Sequence, residues 1–571
     1  MTYMAHGSLT KKMIGRRPYY YLRFTRRVNG KPKVVRTIYL GPVERILAAV
    51  QRQRMGQPPK RVVLAEFGAV AAVWNLIQQT GLIELIDAHV PKRDQGLSVG
   101  QYLAIAVVNR VVCPKSKRKI GPWAAKTILP RLIPGLVPRK LTSQRFWDHM
   151  DRVSEQAIEA IETDLARRLV EHFGINLNCL AFDATNFFTF IDTRNTKASL
   201  AQRGHNKNGR TDLRQISLAL LVSADFHVPL FHETYAGNRA DAVEFRSALD
   251  KLRRRQEEFT TQCQDITFVF DKGNNSAEGF ETLDQTPFHF VGSLCPTQHP
   301  DLLEIPLDQF QPLQGPRLAQ VSAYRTTKEV FGAVRTIVVT FNDNLYTAQL
   351  TTLTEQIAKA RGQLDALQRR LARHRHGLSK GKRPTLAGTQ NQVKTILKAR
   401  HLKEVLDAEV FQQDGHVGLT YRVNRRGIER LGATLFGKTI LFSDQSKWAD
   451  EQIVLAYRGQ YRVENAFRTM KDPHFVTFSP GFHWTDQKIR VHAFYCVLAL
   501  TMVSLLQRQL HQQGLDISIA AALESLADIK EVALFYNRSA KNPLVNVQLT
   551  ERDELQNQLF EALDLQRFLV S

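Results

Sequence analysis

The hydrophobic rhythm of this chain changes several times along its length. In residues 1–60 the apolar runs are short and β-rich. Tyr19 to Thr25 and Val34 to Leu40 flank Asn29-Gly30, a dipeptide suited to a hairpin turn. In 61–172 apolar residues recur at helical spacing, through Val70 to Ile86, Val99 to Val112 and Ile158 to Val170, with breaks near Pro91, Pro114, Pro130 and Pro134. In 173–294 the runs become short and continuous, as buried strands require: Cys179 to Phe182, Ile216 to Val222, Val228 to Tyr235, Ile266 to Phe270 and Phe288 to Leu294. A basic amphipathic helix is expected over Asp241 to Phe259. Three strands able to pair as hairpins, then a helix and further strands, predict an α/β domain.

Residues 295–445 read as an insertion into that domain. Val330 to Phe341 is β-like. Leu350 to Leu371 and Asn391 to Ala408 predict a helical hairpin with a basic tip, Arg373 to Pro384, and strands return at Val417 to Val423 and Thr439 to Phe442. Residues 446–515 are expected to be helical and to complete the α/β domain, and 516–571 to form a helical tail. No internal repeat is evident.

The segment Tyr457 to Lys471 has a two-sided pattern. At roughly 100° per residue, Tyr457, Gln460, Glu464, Arg468 and Lys471 share an arc of about 80°, and Val463, Phe467 and Met470 share another. One acid then stands beside two cations. A solvated amphipathic helix has the same pattern, so the segment alone does not decide a function.

Composition narrows the choice. Apolar residues make up 43%, enough for real cores, and 78 Lys and Arg against 54 acids leave a net charge of +24. The cations cluster, as in Lys115 to Lys119, Arg253-Arg254-Arg255 and Arg369 to Arg383. A polyanionic partner is expected, with an anionic membrane surface as the other candidate. Arg23, Arg26, Arg27 and Arg36, interleaved with Tyr19, Tyr20 and Tyr21, can bind DNA backbone or simply cover an exposed hairpin. The five cysteines (Cys113, Cys179, Cys263, Cys295, Cys496) are scattered, which argues against a disulfide framework or zinc site and suits a reducing cytosol. The first residues are polar and basic, so no secretory signal is expected. Ala493 to Leu506 is 14 residues long, short for a bilayer span, and reads as a buried core helix.

Asp183 and Asp271 each follow an apolar β run. An acid at the end of a buried strand is costly unless something neutralises it, although aspartate also ends strands as a turn residue. With Glu464, the two could hold a pair of Mg²⁺ ions about 4 Å apart, with Mn²⁺ as a possible substitute. Asp192 and Asp241 are rival acids, but neither directly ends an apolar run.

These acids lie within a set of motifs: Phe182-Asp183-Ala184-Thr185, Gly204-His205-Asn206-Lys207 with Arg210 and Asp212-Leu213, Gly237-Asn238, Phe270-Asp271-Lys272-Gly273, Tyr457 to Lys471, and Phe482-His483-Trp484-Thr485-Asp486 followed by Ile489-Arg490-Val491-His492. In this order the chain, beyond about residue 15, resembles the DDE transposases of bacterial insertion sequences, in the superfamily with a Tyr-x2-Arg-x3-Glu-x6-Lys signature. The resemblance implies an RNase H-like mixed sheet, with Asp183 on its first strand, Asp271 on its fourth and Glu464 on a helix after a largely β insertion. A small β unit and a helical N-terminal region would precede it. It implies that Asp183, Asp271 and Glu464 bind metal and catalyse, and that Tyr457 and Lys471 contact phosphates. Gln460 stands where the signature has arginine, and Arg468 shares its predicted face. His205, Lys207 and Arg210 would touch DNA or organise a loop. The implied partners are double-stranded DNA, as transposon ends and target, and further copies of the chain in a synaptic complex of two or more. The expected location is the bacterial cytoplasm, at the nucleoid. A related nuclease without strand transfer, or a non-catalytic DNA-binding derivative, would show the same motifs.

Overall fold

The computed structural model describes residues 7–570 except 16, 29–30, 55–57, 93–94, 207, 240–242, 244, 248, 252–265, 316, 380, 480 and 538–543. The Asn29-Gly30 turn, Lys207, Asp241, Cys263, the arginine run at 253–255 and most of the helix expected after Asp241 lie outside the described residues. The chain divides into two compact units, one formed by 1–79, 94–146 and 506–571, the other by 80–93 and 147–505.

The first unit opens with an antiparallel meander of β1 (Gly7–Ile14), β2 (Arg17–Val28) and β3 (Lys31–Pro42), followed by α1 (Val43–Arg54). The expected two-stranded hairpin is therefore the second half of a three-stranded sheet. A second small sheet pairs β4 (Arg61–Glu66) with β16 (Lys530–Phe535), and β16 with β17 (Val545–Leu549). Two segments read as helical thus contribute strands, because each short run completes its backbone hydrogen bonds only against a partner far away in sequence. Between them the helices Gly68–Gln79 and Val99–Val112 are buried almost all round.

The second unit is built on a nine-stranded sheet. Its strands are β5 (Cys179–Thr189), β6 (Arg214–Ser223), β7 (Pro229–Ala236), β8 (Thr267–Phe270), β9 (His289–Ser293), β10 (Gln311–Pro312), β11 (Val321–Val330), β12 (Ala333–Asn342) and β15 (Lys438–Ser443). Their order is β10-β11-β12-β15-β9-β8-β5-β6-β7. β5, β6 and β7 are antiparallel neighbours, while β5, β8 and β9 run parallel. A meander joined through its first strand to two parallel strands is the RNase H-like arrangement that the resemblance predicts.

The insertion differs from its expected form. β10, β11, β12 and β15 extend the sheet of β5 to β9, and only the chain between β12 and β15 leaves it. That excursion contains α2 (Asp343–Arg375), α3 (Leu386–Ile396) and a hairpin of β13 (Leu406–Gln413) and β14 (His416–Val423). The second long helix expected from Asn391 to Ala408 ends early, and Leu406 to Ala408 already belong to β13. The lobe has its own core, formed by Leu353, Ile357, Leu364 and Leu367 of α2 with Val393, Leu419 and Leu431. It is therefore mainly helical where the family likeness implies β.

Two helices follow β15, α4 (Asp450–Arg458) and α5 (Tyr461–Lys471), and then the long α6 (Asp486–Gln512). At 27 residues α6 is longer than its apolar run suggested, and by length and composition it would suit a membrane span. Its most apolar window is 94% buried against the rest of the chain, as a core helix requires.

Candidate active site

β8 is short because Asp271 ends it. The Asp271 carboxylate accepts from the Lys272 N–H at 2.8 Å and caps a single 3₁₀ turn over Lys272–Asn274. β5 does not end at its acid: Asp183 is its fifth residue, and the strand runs on to Thr189. What stops near Asp183 is the pairing with β8. Cys179 lies opposite Thr267, Leu180 opposite Phe268 and Ala181 opposite Val269.

Continued two residues, that register sets Asp183 beside Asp271 on neighbouring parallel strands, which lie about 4.8 Å apart. On the other side Phe270 lies opposite Gly292, so the next step sets Asp271 beside Ser293. The side chains confirm it, since Ser293 Oγ donates to Asp271 Oδ1 at 2.8 Å. The Tyr457 hydroxyl donates to the same oxygen at 3.2 Å. Three donors therefore converge on Oδ1, and Oδ2 receives no hydrogen bond from the described residues.

α5 lies across the face of β5 that carries Asp183. Residues 183, 185 and 187 share that face by strand alternation. Lys471 Nζ donates to Thr185 Oγ1 at 2.6 Å and stands 5.4 Å from the centre of the Phe187 ring. Asp271 is met instead from α4, the helix that carries Tyr457. Burial raises the Tyr457 phenol well above its ordinary range, and the charges of Asp271 and then Glu464 raise it further. Tyr457 therefore remains a proton donor, within electrostatic reach of both acids. Val463, Ala466, Phe467 and Met470 are buried, so the apolar stripe read from the sequence does anchor this helix.

Glu464 is exposed and has no hydrogen-bond or ion-pair partner among the described residues. Among those residues, no three His, Cys, Asp or Glu side chains form a group able to hold a metal ion. The expected convergence of three carboxylates is thus only partly formed: Asp183 and Asp271 are in register, and Glu464 is exposed on a helix that packs on β5, the strand of Asp183. The donor set itself, carboxylate oxygens with Asp271 Oδ2 free, suits a hard divalent cation.

The flanking residues depart from their expected places. Tyr457 and Glu464 are not on one helix. Between Arg458 and Tyr461 the bonds shorten to i→i−3, with Gln460 N–H to Tyr457 O at 3.0 Å and Arg462 N–H to Gly459 O at 3.1 Å. Gly459 sits at this junction, where glycine's low helix propensity makes the break inexpensive. Gln460 is only 8% exposed at the junction, which removes it from the charged face and from easy contact with a phosphate. Arg468 hydrogen-bonds Asn465 on its own helix. Arg210 makes a two-pronged ion pair with Asp212, at 2.7 Å for each contact. That pairing holds the Asp212 carboxyl down at about 2.

His205 is exposed, while its carbonyl accepts from Asn186 at 3.2 Å and from Gln215 at 3.0 Å. Gln215 also donates to the Gly237 carbonyl at 2.8 Å. Gly204 and Gly237 meet here so closely that a Cβ on Gly204 would come within 2.2 Å of the Gly237 oxygen. These two motifs are therefore halves of one loop junction. Asn206 closes it, accepting from the Arg210 N–H at 2.9 Å and donating to the Arg210 carbonyl at 2.7 Å. The rival acid Asp192 caps a turn through the Arg194 N–H. His492 is buried and bonds the Phe478 carbonyl at 2.7 Å, and Asp486 accepts from the Leu200 N–H at 2.8 Å, so both are structural.

Sequence reasoning missed Ser293 and Thr185. Ser293 ends the strand beside Asp271 and Thr185 follows Asp183 by two, so a register argument could have found both. A cavity of about 370 Å³ adjoins the site. Lys272, Ser293 and Tyr457 line it from the core, and Gln349, Arg400 and His401 from the helical lobe.

Residues 178–476, from just before β5 through α5, match the family described as Transposase DDE domain. A cryo-EM structure of the piggyBac transposase synaptic complex with hairpin DNA is similar at 8% identity, covering 82% of each chain, with a TM-score of 0.36. At that level the likeness adds nothing to the fold read from the sheet order. No curated protein matches.

Proposed function

The chain belongs to the Transposase DDE domain family, and on that premise we propose that it is the transposase of a bacterial insertion sequence, acting at the nucleoid in the cytoplasm. It binds the terminal inverted repeats of its element as a homodimer or larger assembly. Water attacks phosphorus at each end and breaks the bond to the 3′ oxygen, releasing a 3′-hydroxyl and leaving a 5′-phosphate. That hydroxyl then attacks a phosphodiester of target DNA, joining the element and expelling a target 3′-hydroxyl.

The observation that carries this reading is the register of Asp183 with Asp271, with the helix of Glu464 packed on the strand of Asp183. These three carboxylates would hold Mg²⁺, two ions in all, or Mn²⁺ in its place; the ions would supply activation of the attacking oxygen and charge to offset the phosphorane. Ser293 and Tyr457 fix the Asp271 carboxylate through Oδ1 and leave Oδ2 without a bond from the described residues. Lys471, anchored on Thr185, offers a cation to the scissile phosphate.

The test is incubation of full-length protein with Mg²⁺, DNA carrying the element's ends and a target plasmid. Cut ends and joined products are expected, and Asp183→Asn, Asp271→Asn and Glu464→Gln should each reduce both by roughly 10³-fold. Normal cleavage by Glu464→Gln would remove Glu464 from the site. Cut ends that never join would mark a nuclease. Binding without cutting in Mg²⁺ or Mn²⁺ would mark a non-catalytic derivative.

A further inference from the structure

We propose that one face of the N-terminal sheet β1–β3 grips the phosphate backbone of duplex DNA, independently of metal and of the carboxylate site. The inference rests on the reading of the chain as DNA-acting, and names a surface for it. From Met1 to Val43 there are ten Lys and Arg and no Asp or Glu. The whole chain has 54 acids in 571 residues, so a stretch of that length would ordinarily hold about four. A solvated surface mixes both signs; this one has been cleared of the sign that repels phosphate.

The pairing sorts the residues onto two faces. Lys12 lies opposite Tyr19, Ile14 opposite Arg17, and Tyr21 opposite Tyr39, so Arg17, Lys12, Tyr19, Tyr21, Arg23 and Tyr39 share one face, with Ile14 at its end. The ring contacts agree: Tyr39 is 6.3 Å from Tyr19 and 5.1 Å from Tyr21. The opposite face carries Leu9, Leu22, Phe24 and Ile38, with Lys11, Tyr20 and Arg36 among them. The tyrosine face is therefore not the apolar side of this sheet, and Arg17, Lys12, Arg23 and Tyr39 are exposed on it.

Its dimensions and chemistry suit a duplex. Arg17 and Arg23 are six residues apart on one strand, roughly 20 Å, enough to reach phosphates on both sides of a groove about 12 Å wide. Between them stand tyrosines, which can donate to phosphate oxygens. The centre of the face is tyrosine rather than the leucine or tryptophan that sinks into acyl chains, which favours DNA over an anionic membrane.

The test uses the full-length protein in EDTA, so that no cleavage intervenes, with a labelled random 30-base-pair duplex read by anisotropy across salt concentrations. The Arg17→Gln/Arg23→Gln variant should lose roughly 60-fold in affinity at 0.1 M salt, and its salt slope should fall by about 1.8, from about 0.9 per phosphate. Lys11→Gln/Arg36→Gln removes the same charge from the opposite face, and should lose less than about 5-fold. Circular dichroism checks that each variant folds. Equal losses from both variants, or none from the first, would overturn the proposal. So would a first variant that loses binding to phosphatidylglycerol vesicles but keeps its duplex affinity. Duplex binding through this face without cleavage in Mg²⁺ would leave this inference standing and sink the transposase reading; cleavage with an inert tyrosine face would do the reverse.

Discussion

In the nine-stranded sheet β6 buries every residue from Gln215 to Ser223, whereas in the N-terminal sheet every residue of β1 except Thr10 is exposed. This difference decides how a charged residue is to be read. A polar group in the buried sheet costs free energy unless partnered, so each one has a traceable reason. Asp271 has three donors, and Gln215 ties two loops together. On the exposed sheet one charge costs almost nothing, and no single arginine is informative. There the information lies in the collective pattern, ten cations without an acid.

The comparison can be broken at three places. Gln460→Arg restores the family signature but puts a cation at a position only 8% exposed. It should cost roughly 3 kcal/mol of stability, measured by urea unfolding. If the cost stays within about 0.5 kcal/mol, as for a surface substitution, and cleavage improves, the position reaches DNA and the burial argument fails there.

Ser293→Ala removes one donor from Asp271. Cleavage should fall roughly 10- to 100-fold, as when a partner of a ligand is lost, with little change in unfolding midpoint. Full activity would show that Tyr457 and the Lys272 N–H suffice to orient the carboxylate.

The smallest effect concerns pH. Burial, with help from the Arg462 charge, holds the His227 imidazole down to about 4. Its folded value lies below the unfolded one near 6.5, so the unfolded chain takes up the proton first. The stability from keeping His227 neutral is complete above about pH 6.5 and is lost as pH falls towards 4. His227 lies in the turn after β6 with a left-handed φ of 49°, which asparagine tolerates. His227→Asn should flatten the decline of the urea midpoint between pH 7 and 4.5; an unchanged slope would assign the acid sensitivity elsewhere.

Much of the second unit was legible in the sequence, because buried strands are continuous apolar runs and five of them lie where those runs stand. The buried stripe of α5 was legible for the same reason. The break at Gly459 was not, since one glycine in a helical pattern reads equally as tolerated or as a hinge. β4, β16 and β17 were missed because short, at most half-buried runs become strands only when a distant segment pairs with them. β12 and β15 were assigned to a separate insertion, because nothing local says which sheet a strand will join, and β11 was not read as a strand.

The sequence by itself determined which residues are costly to bury, and so singled out Asp183 and Asp271, together with the Glu464 and Lys471 spacing of the family signature. The tertiary structure alone decided that Asp183, Asp271 and Ser293 stand side by side. It also decided that Tyr457 bonds Asp271, that Gln460 is buried, and that three cations and three tyrosines share one face of the N-terminal sheet. The physical reason is that burial cost belongs to each residue, whereas strand register and helix docking are relations between segments far apart in the chain. Hydrogen bonds that form only on folding fix those relations.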